Sequence, residues 1–316
     1  MIKKECFTAE WIEQVSSELH YNDKNLIEKV IRALSLLEML VKAGCPLVFK
    51  GGTALMLILG KSAHRLSIDI DLICPPGTNI EDYLKSFADF GFINLELVER
   101  KQRDDADIPK SHSKFFYQIA YRNDTDAQSY ILLDVLYEDI HYFRTQQIAI
   151  NCPFIRLEGK PLMVTVPSAE DILGDKLTAF APNTTGIPYY RNGRSCSMEI
   201  AKQLYDVGRL FENVSDLQIT KEAFRKIAVV ELSYRSFGTD IEQVFNDIRQ
   251  TALCISTRGK AGEGDFDLIQ DGIIRVKSFM YKQRYLIDHA IIDAARAAYL
   301  ATLIEKGINE IESYHR

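Results

Sequence analysis

Leu66 to Ile73 reads LSIDIDLI, and its alternation of apolar and polar residues up to Leu72 has the period of a β-strand. Strand side chains point alternately to opposite faces. Asp69 and Asp71 therefore project together from one face, while Ile68, Ile70 and Leu72 project from the other. Two crowded carboxylates repel and are costly to desolvate. A cation such as Mg²⁺ removes both difficulties, because hard carboxylate oxygens are its natural ligands. An isolated D-x-D on a strand more often faces water above a buried apolar face, so the neighbouring sequence decides the reading.

Upstream, PLVFK (Pro46 to Lys50) is a short apolar strand, and GGTALMLILG is a glycine turn feeding a helix that ends at Gly60. In the KGGT segment, Lys50, Gly51, Gly52 and Thr53, glycine lets backbone N–H groups approach an anion, and the helix amino terminus adds partial positive charge. A lone Gly-Gly is usually just a tight turn. This one lacks the G-K-[ST] ending of a P-loop and the G-x-G-x-x-G of a dinucleotide fold. Followed one helix later by paired carboxylates on a strand, it describes a site for a metal triphosphate. Arg65, just before that strand, is within reach of a phosphate, although a single Arg is more often solvated surface. Asp134 lies alone in the apolar run YILLDVLY. It reads equally as a third carboxylate of a two-metal site and as an edge-strand Asp turned to solvent. The six histidines, His112 among them, form no metal-ligand spacing.

Along the chain, Asn22 to Gly44 carries cap residues and helical spacing, and Asn79 to Phe92 also reads as helix. INLELVER, KFFYQIAYR and SYILLDVLYE read as successive strands, the first two separated by a polar loop, RDDADIPKSHS. At Ser168, SAED matches a capping box, and helical periodicity continues to the carboxyl terminus, broken at Ala181 to Ser195 and at Gly259 to Asp265. The expected class is α+β: an amino-terminal mixed-sheet domain with flanking helices over residues 1–166, then a mostly helical domain over 167–316. With 316 residues, 47% of them apolar, the chain has room for both. A net charge of −6 argues against a protein that coats nucleic acid non-specifically, and leaves room for a local basic groove. Six well-separated cysteines suggest neither a disulfide framework nor a zinc site, which fits a reducing cytoplasm. No stretch approaches the roughly 20 apolar residues of a membrane span.

The segments KGGTALMLIL and RLSIDIDL together resemble the first motif of the AbiEii/AbiGii toxin family of the nucleotidyltransferase superfamily: a G-[GS] turn, a helix, then D-x-D on the next strand. DKLTAF, with Lys176, is similar to that family's K-L-x-A segment, and KQLYDVGRL, with Lys202 and Asp206, to its K-x-x-x-D segment. The matches run in order from Lys50 to Leu210. This resemblance implies a nucleotidyltransferase domain followed by a helical domain that contributes to the active-site cleft. It implies Mg²⁺-dependent transfer of a nucleoside monophosphate from a nucleoside triphosphate to an acceptor, either tRNA or other RNA, or protein. It also implies the toxin of a type IV toxin–antitoxin or abortive-infection system, with a cognate antitoxin. Carried over residue by residue, Gly51, Gly52 and Thr53 hold the triphosphate and Asp69 and Asp71 bind Mg²⁺. Lys176 contacts the phosphates and Asp206 completes the pocket. Lys202 receives no role, because its spacing from Asp206 also fits an exposed ion pair on one helix. The alternative is a catalytically inactive nucleotide-binding or protein-interaction module on the same fold, which failure of Asp69, Asp71 and Asp134 to converge would favour.

Overall fold

Capping side chains set the starts of the first two α-helices. Thr8 accepts a hydrogen bond from Trp11 N and opens α1 (Ala9–Leu19); Asp23 accepts one from Leu26 N and opens α2 (Lys24–Lys42). The expected helix over 22–44 is thus present, and it buries Ile27, Val30, Ile31, Leu34 and Leu37. The computed structural model describes residues 1–98, 110–122, 127–214, 216–234, 238 and 240–311. Its contacts divide the chain into two units. One comprises Met1–Ile140, Thr145–Pro167 and Phe279–Gln283; the other comprises His141–Arg144, Ser168–Ser278 and Arg284–Arg316.

In the first unit, β1 (Val48–Lys50) leads into α3 (Gly51–Leu59), followed by β2 (Ile70–Cys74), β3 (Asn94–Val98), β4 (Lys110–Gln118) and β5 (Gln128–Tyr137). These strands form one mixed sheet in the order β1-β2-β5-β4-β3, with β2 and β5 parallel and the other pairs antiparallel. A smaller antiparallel pair joins β6 (Thr145–Ala149) to β7 (Met163–Pro167). Ile70 and Leu72 of β2, with Ile131, Leu133 and Val135 of β5, turn one face of the main sheet into the core. On α2, Glu28 and Arg32 are buried together at 3.3 Å. Glu28 accepts from Ala120 N and Arg32 donates to Gln118 O, which ties the helix to the end of β4. Burial pushes the Glu28 carboxyl up despite the pull of Arg32.

Three sequence expectations change here. Asn79 to Phe92 is not a helix but two 3₁₀ turns, Ile80–Tyr83 and Phe87–Phe90. The buried anchors Ile80, Leu84, Phe90 and Phe92 leave helical spacing after Leu84, and Gly91 takes a φ of +80°. The segment expected to be the polar loop RDDADIPKSHS supplies the first four residues of β4, because Ser111 and Ser113 alternate inward with Phe115 and the backbone pairs with β5; the rest of that loop lies outside the described residues. The acidic strand starts in the ladder at Ile70 rather than Leu66, so Asp69 immediately precedes it.

The second unit holds α4 (Ala169–Ala179), the two-residue strands β8 (Tyr190–Arg191) and β9 (Arg194–Ser195), α5 (Ser197–Phe211), α6 (Leu217–Ser233), α7 (Ile241–Ser256), α8 (Phe266–Val276) and α9 (Ile287–Lys306). Ser168 caps α4 as expected by accepting from Asp171 N. The return half of the box is absent, because the buried Asp171 carboxylate accepts from Phe143 N at 2.7 Å and Arg144 N at 3.0 Å instead. Among the described residues no helix is long and apolar enough to cross a membrane.

Gly174 marks a close helix contact in this unit's core. A Cβ there would lie 2.7 Å from Phe224 N and 2.9 Å from Thr220 O, so α4 and α6 pack backbone to backbone. Gly174→Ala should therefore cost about 1–3 kcal/mol, the scale of overpacking a well-filled core. Urea unfolding checks this; an unshifted midpoint would mean that the helices sit farther apart.

Candidate active site

The junction of β1 and α3 forces two glycines. Gly51 has a φ of +78°, which residues with a side chain rarely adopt, and a Cβ on it would come 2.1 Å from Asp71 Oδ2. A Cβ on Gly52 would meet Ser67 Oγ at 2.7 Å and Arg65 Nη2 at 3.0 Å. The glycine turn at the head of α3 is thus laid directly against the acidic segment. Thr53 is fully buried and donates its hydroxyl to Asp69 O at 2.7 Å, fixing that backbone. With the hydroxyl so engaged, any phosphate contact by Thr53 would come from its backbone N–H. Arg65 is buried rather than solvated, donating Nη1 to Leu66 O at 3.0 Å, and its backbone bridges to Met280.

Sheet register arranges the charged residues in a row. Lys50 on β1 is the partner of Asp71 on β2, Asp71 of Asp134 on β5, and Asp134 of His112 on β4. In-register neighbours share a face, so all four stand on the side opposite Ile70, Leu72, Leu133 and Val135. Asp134 is therefore not turned away from the D-x-D. His112 Nδ1 lies 2.5 Å from Asp134 Oδ1, with 13% of the His112 side chain and 33% of the Asp134 side chain exposed. An ionised carboxylate only accepts, which assigns Nδ1 as the protonated nitrogen. The expected convergence of the three acids is met only in part. Asp71 and Asp134 are adjacent in register, but among the described residues no three His, Cys, Asp or Glu side chains gather closely enough to form a ready metal cage.

Two further groups escape a reading of the sequence alone. His112 falls in a segment with the composition of a loop; the signal that reveals it is the alternation through Ser111, Ser113, Phe115 and Tyr117, which puts His112 on the opposite, open face. Lys29, half-buried on α2, is a cation near Asp69. Burial lowers its ammonium pKa while the negative charge of Asp69 acts the other way. On sequence alone it is one more polar position of an amphipathic helix.

In the helical unit, Lys176 of α4 pairs with Asp206 of α5 at 3.1 Å and donates to Gln203 Oε1 at 2.9 Å. Side-chain exposures of 10% and 2% make this a buried ion pair. Asp206 is therefore buried, not the exposed member of a surface ion pair as its spacing from Lys202 would allow.

A mixed sheet that sets paired carboxylates beneath a glycine turn is the framework of a nucleotidyltransferase. Residues 34–285 match the family model described as nucleotidyl transferase AbiEii toxin, type IV TA system, and the chain belongs to that family. No curated protein matches it. Among solved structures it is similar to JHP933 from Helicobacter pylori, at 17% identity and a TM-score of 0.45 over 89% of this chain and 94% of that one. It is also similar to MenT4, nucleotidyltransferase toxin Rv2826c from Mycobacterium tuberculosis H37Rv, at 12% identity and a TM-score of 0.49 over 93% and 89%.

Gly51→Ala should destabilise the fold by about 1–2 kcal/mol through its left-handed backbone alone, and further through collision with Asp71. In an Asp71→Ala background the collision with the carboxylate should vanish, leaving the backbone part and a milder contact with the remaining Cβ at 3.1 Å. A double-mutant cycle by chemical denaturation reads the difference; equal losses in both backgrounds would rule out the contact. Lys176→Ala should cost about 3–5 kcal/mol, because it strands a buried carboxylate, whereas Lys176→Met with Asp206→Leu should regain most of that loss. Melting curves of the two variants decide.

Proposed function

We propose that this enzyme transfers a nucleoside monophosphate from a nucleoside triphosphate to an RNA acceptor, such as tRNA, in a Mg²⁺-dependent reaction. The supporting observation is the register that sets Asp71 beside Asp134 while Gly51 packs on the Asp71 carboxylate. The donor chemistry fits Mg²⁺. This ion is commonly held by one or two protein carboxylates and completed by substrate phosphates and water, so a closed three-residue cage is not required. Asp69 and Asp71 would hold it, with Asp134 adjacent. Once bound, it would neutralise triphosphate charge and favour in-line attack of an acceptor oxygen on the α-phosphorus.

The chain's own groups have separable parts in this reading. Backbone N–H groups of Gly51, Gly52 and Thr53 at the head of α3 bind phosphate oxygens. Lys50, in register with Asp71, and Arg65, behind Gly52, add fixed positive charge. As the family resemblance implies, Lys176 is read as a phosphate contact, and Asp206 holds its ammonium in place. Family membership supports a toxin role with a cognate antitoxin partner in the cytoplasm.

Incubation with each α-labelled nucleoside triphosphate, Mg²⁺ and total cellular RNA tests the reading. Label should enter RNA, and Asp69→Asn or Asp71→Asn should lower incorporation by on the order of a hundredfold or more. Relief of crowding should leave the metal-free melting temperature unchanged or raised. Wild-type incorporation by either variant would overturn the assignment. The stable Lys176→Met/Asp206→Leu protein should bind nucleotide roughly tenfold more weakly, or worse, the scale of one charge-assisted phosphate contact. Unchanged affinity by calorimetry would remove Lys176 from the site.

A further inference from the structure

Arginines of the helical unit commonly have acidic partners. Arg144 pairs with Asp216, Arg249 with Glu305, Arg258 with Asp288 and Arg275 with Asp271, while Arg209 and Arg296 share Asp293 and Glu212. Arg225 donates to Ile304 O, and Arg284 is exposed without an acidic partner among the described residues, but of these arginines only Arg191 and Arg194 lie opposite each other in a strand ladder. Both are exposed, and among the described residues neither guanidinium has a carboxylate or hydrogen-bond partner. They face each other across the β8–β9 ladder, joined by Asn192 and Gly193 at φ +52° and +73°. Two positive φ values make this the turn that matches strand twist and holds a hairpin tightly.

Like charges directly opposite in a ladder are destabilising, and strands of two residues have little apolar face to compensate. The hairpin is nevertheless held firmly at its base. Cys196 N donates to Tyr189 O at 2.9 Å, Ser197 N to Ser195 Oγ at 3.3 Å, and Ser197 Oγ to Asp271 Oδ2 at 3.3 Å. A Cβ on Gly272 would lie 2.1 Å from Ser197 O, so α8 closes directly on the hairpin's foot. A rigid support thus presents two uncompensated guanidinium groups about 5 Å apart at the backbone. That arrangement suits phosphate, which planar guanidinium forks bind through paired oxygens.

We propose that the Arg191–Arg194 hairpin docks the phosphodiester backbone of the nucleic-acid acceptor, an inference that rests on the RNA acceptor proposed above. Small phosphorylated ligands bind in concave sites, whereas this pair stands exposed at a hairpin tip, where an extended polyanion can reach it. Tyr190, 57% exposed, adds an aromatic surface of the kind on which unpaired bases stack.

The full chain and an Arg191→Gln/Arg194→Gln variant are titrated against labelled bulk tRNA by fluorescence anisotropy between 50 and 200 mM salt. Removing two phosphate contacts should weaken binding at least about tenfold at low salt and reduce the slope of log K against log salt by roughly 1.4–1.8. Arg191→Lys/Arg194→Lys should retain most of the slope. A glutamine variant with the wild-type slope, or a wild type without tRNA binding, overturns the proposal. So does loss of nucleoside triphosphate affinity with tRNA binding intact, which would assign the clamp to the triphosphate. Labelling assays run in parallel separate this from the acceptor reading. If wild type labels RNA and the glutamine variant binds and labels equally well, the hairpin assignment alone falls. If wild type labels no RNA while tRNA binding depends on the hairpin, the acceptor reading alone falls.

Discussion

Everything at the candidate site depends on how Asp71 is held. Its carboxylate meets the α-carbon of Gly51, and its strand neighbours at the same register are Lys50 and Asp134. An anion beside a second anion is unfavourable, and a lysine on the other flank offsets part of that repulsion. This placement is enforced from the opposite face. Ile70 and Leu72 interlock with Leu133 and Val135 beneath the sheet, and a slip of β2 by one residue against β5 would drive Asp71 into that core. Hydrophobic packing below therefore fixes the spacing of charges above, and the glycine turn can approach because its position against β2 cannot drift.

The helical unit solves a different electrostatic problem, since its key charges are buried. Asp293 of α9 is fully buried against Gly208, where a Cβ would sit 2.0 Å from Oδ1, and burial pushes its carboxyl up while Arg209 and Arg296 pull it down. Lys176 and Asp206 form a second buried pair, between α4 and α5. Such pairs add little net stability but are strongly destabilising to break. Loss of activity after truncating Lys176 alone would thus mix unfolding with lost chemistry. Replacing both partners by apolar residues of similar size separates the two.

How much of the site is legible in the sequence depends on the range of the signal in each case. The acidic strand, the glycine turn and α2 announce themselves within a dozen residues, through period-two alternation, a Gly-Gly pair and an Asp cap. His112 does not, because SHS looks like loop until it is paired with Leu133–Val135, more than 20 residues later. Asp206 reads locally against Lys202, its neighbour on the same helix, whereas its ion pair with Lys176 reaches across to another helix. The segment 79–92 misleads for a related reason: local spacing up to Leu84 is helical, but tertiary anchors at Phe90 and Phe92 take precedence. Contacts between distant segments carry no periodicity, and the residues that escape the sequence are those defined by such contacts.

The three acids, once placed, are not equivalent. Asp69 is fixed through its backbone by Thr53, Asp71 by the close approach of Gly51, and Asp134 by His112 bonding to one of its two oxygens. Gathering three ionised carboxylates into one tight cage would be costly in the absence of a compensating cation, since each added negative charge opposes ionisation of the others. A pair set by strand register, with a neighbouring acid steadied through a histidine, lowers that cost and still keeps hard oxygen donors on one face of the sheet. Because a metal triphosphate brings its own phosphate oxygens as ligands, a site for it can leave part of the coordination shell to the substrate. The spread of the carboxylates is then a compromise between stability of the empty protein and affinity for the loaded one.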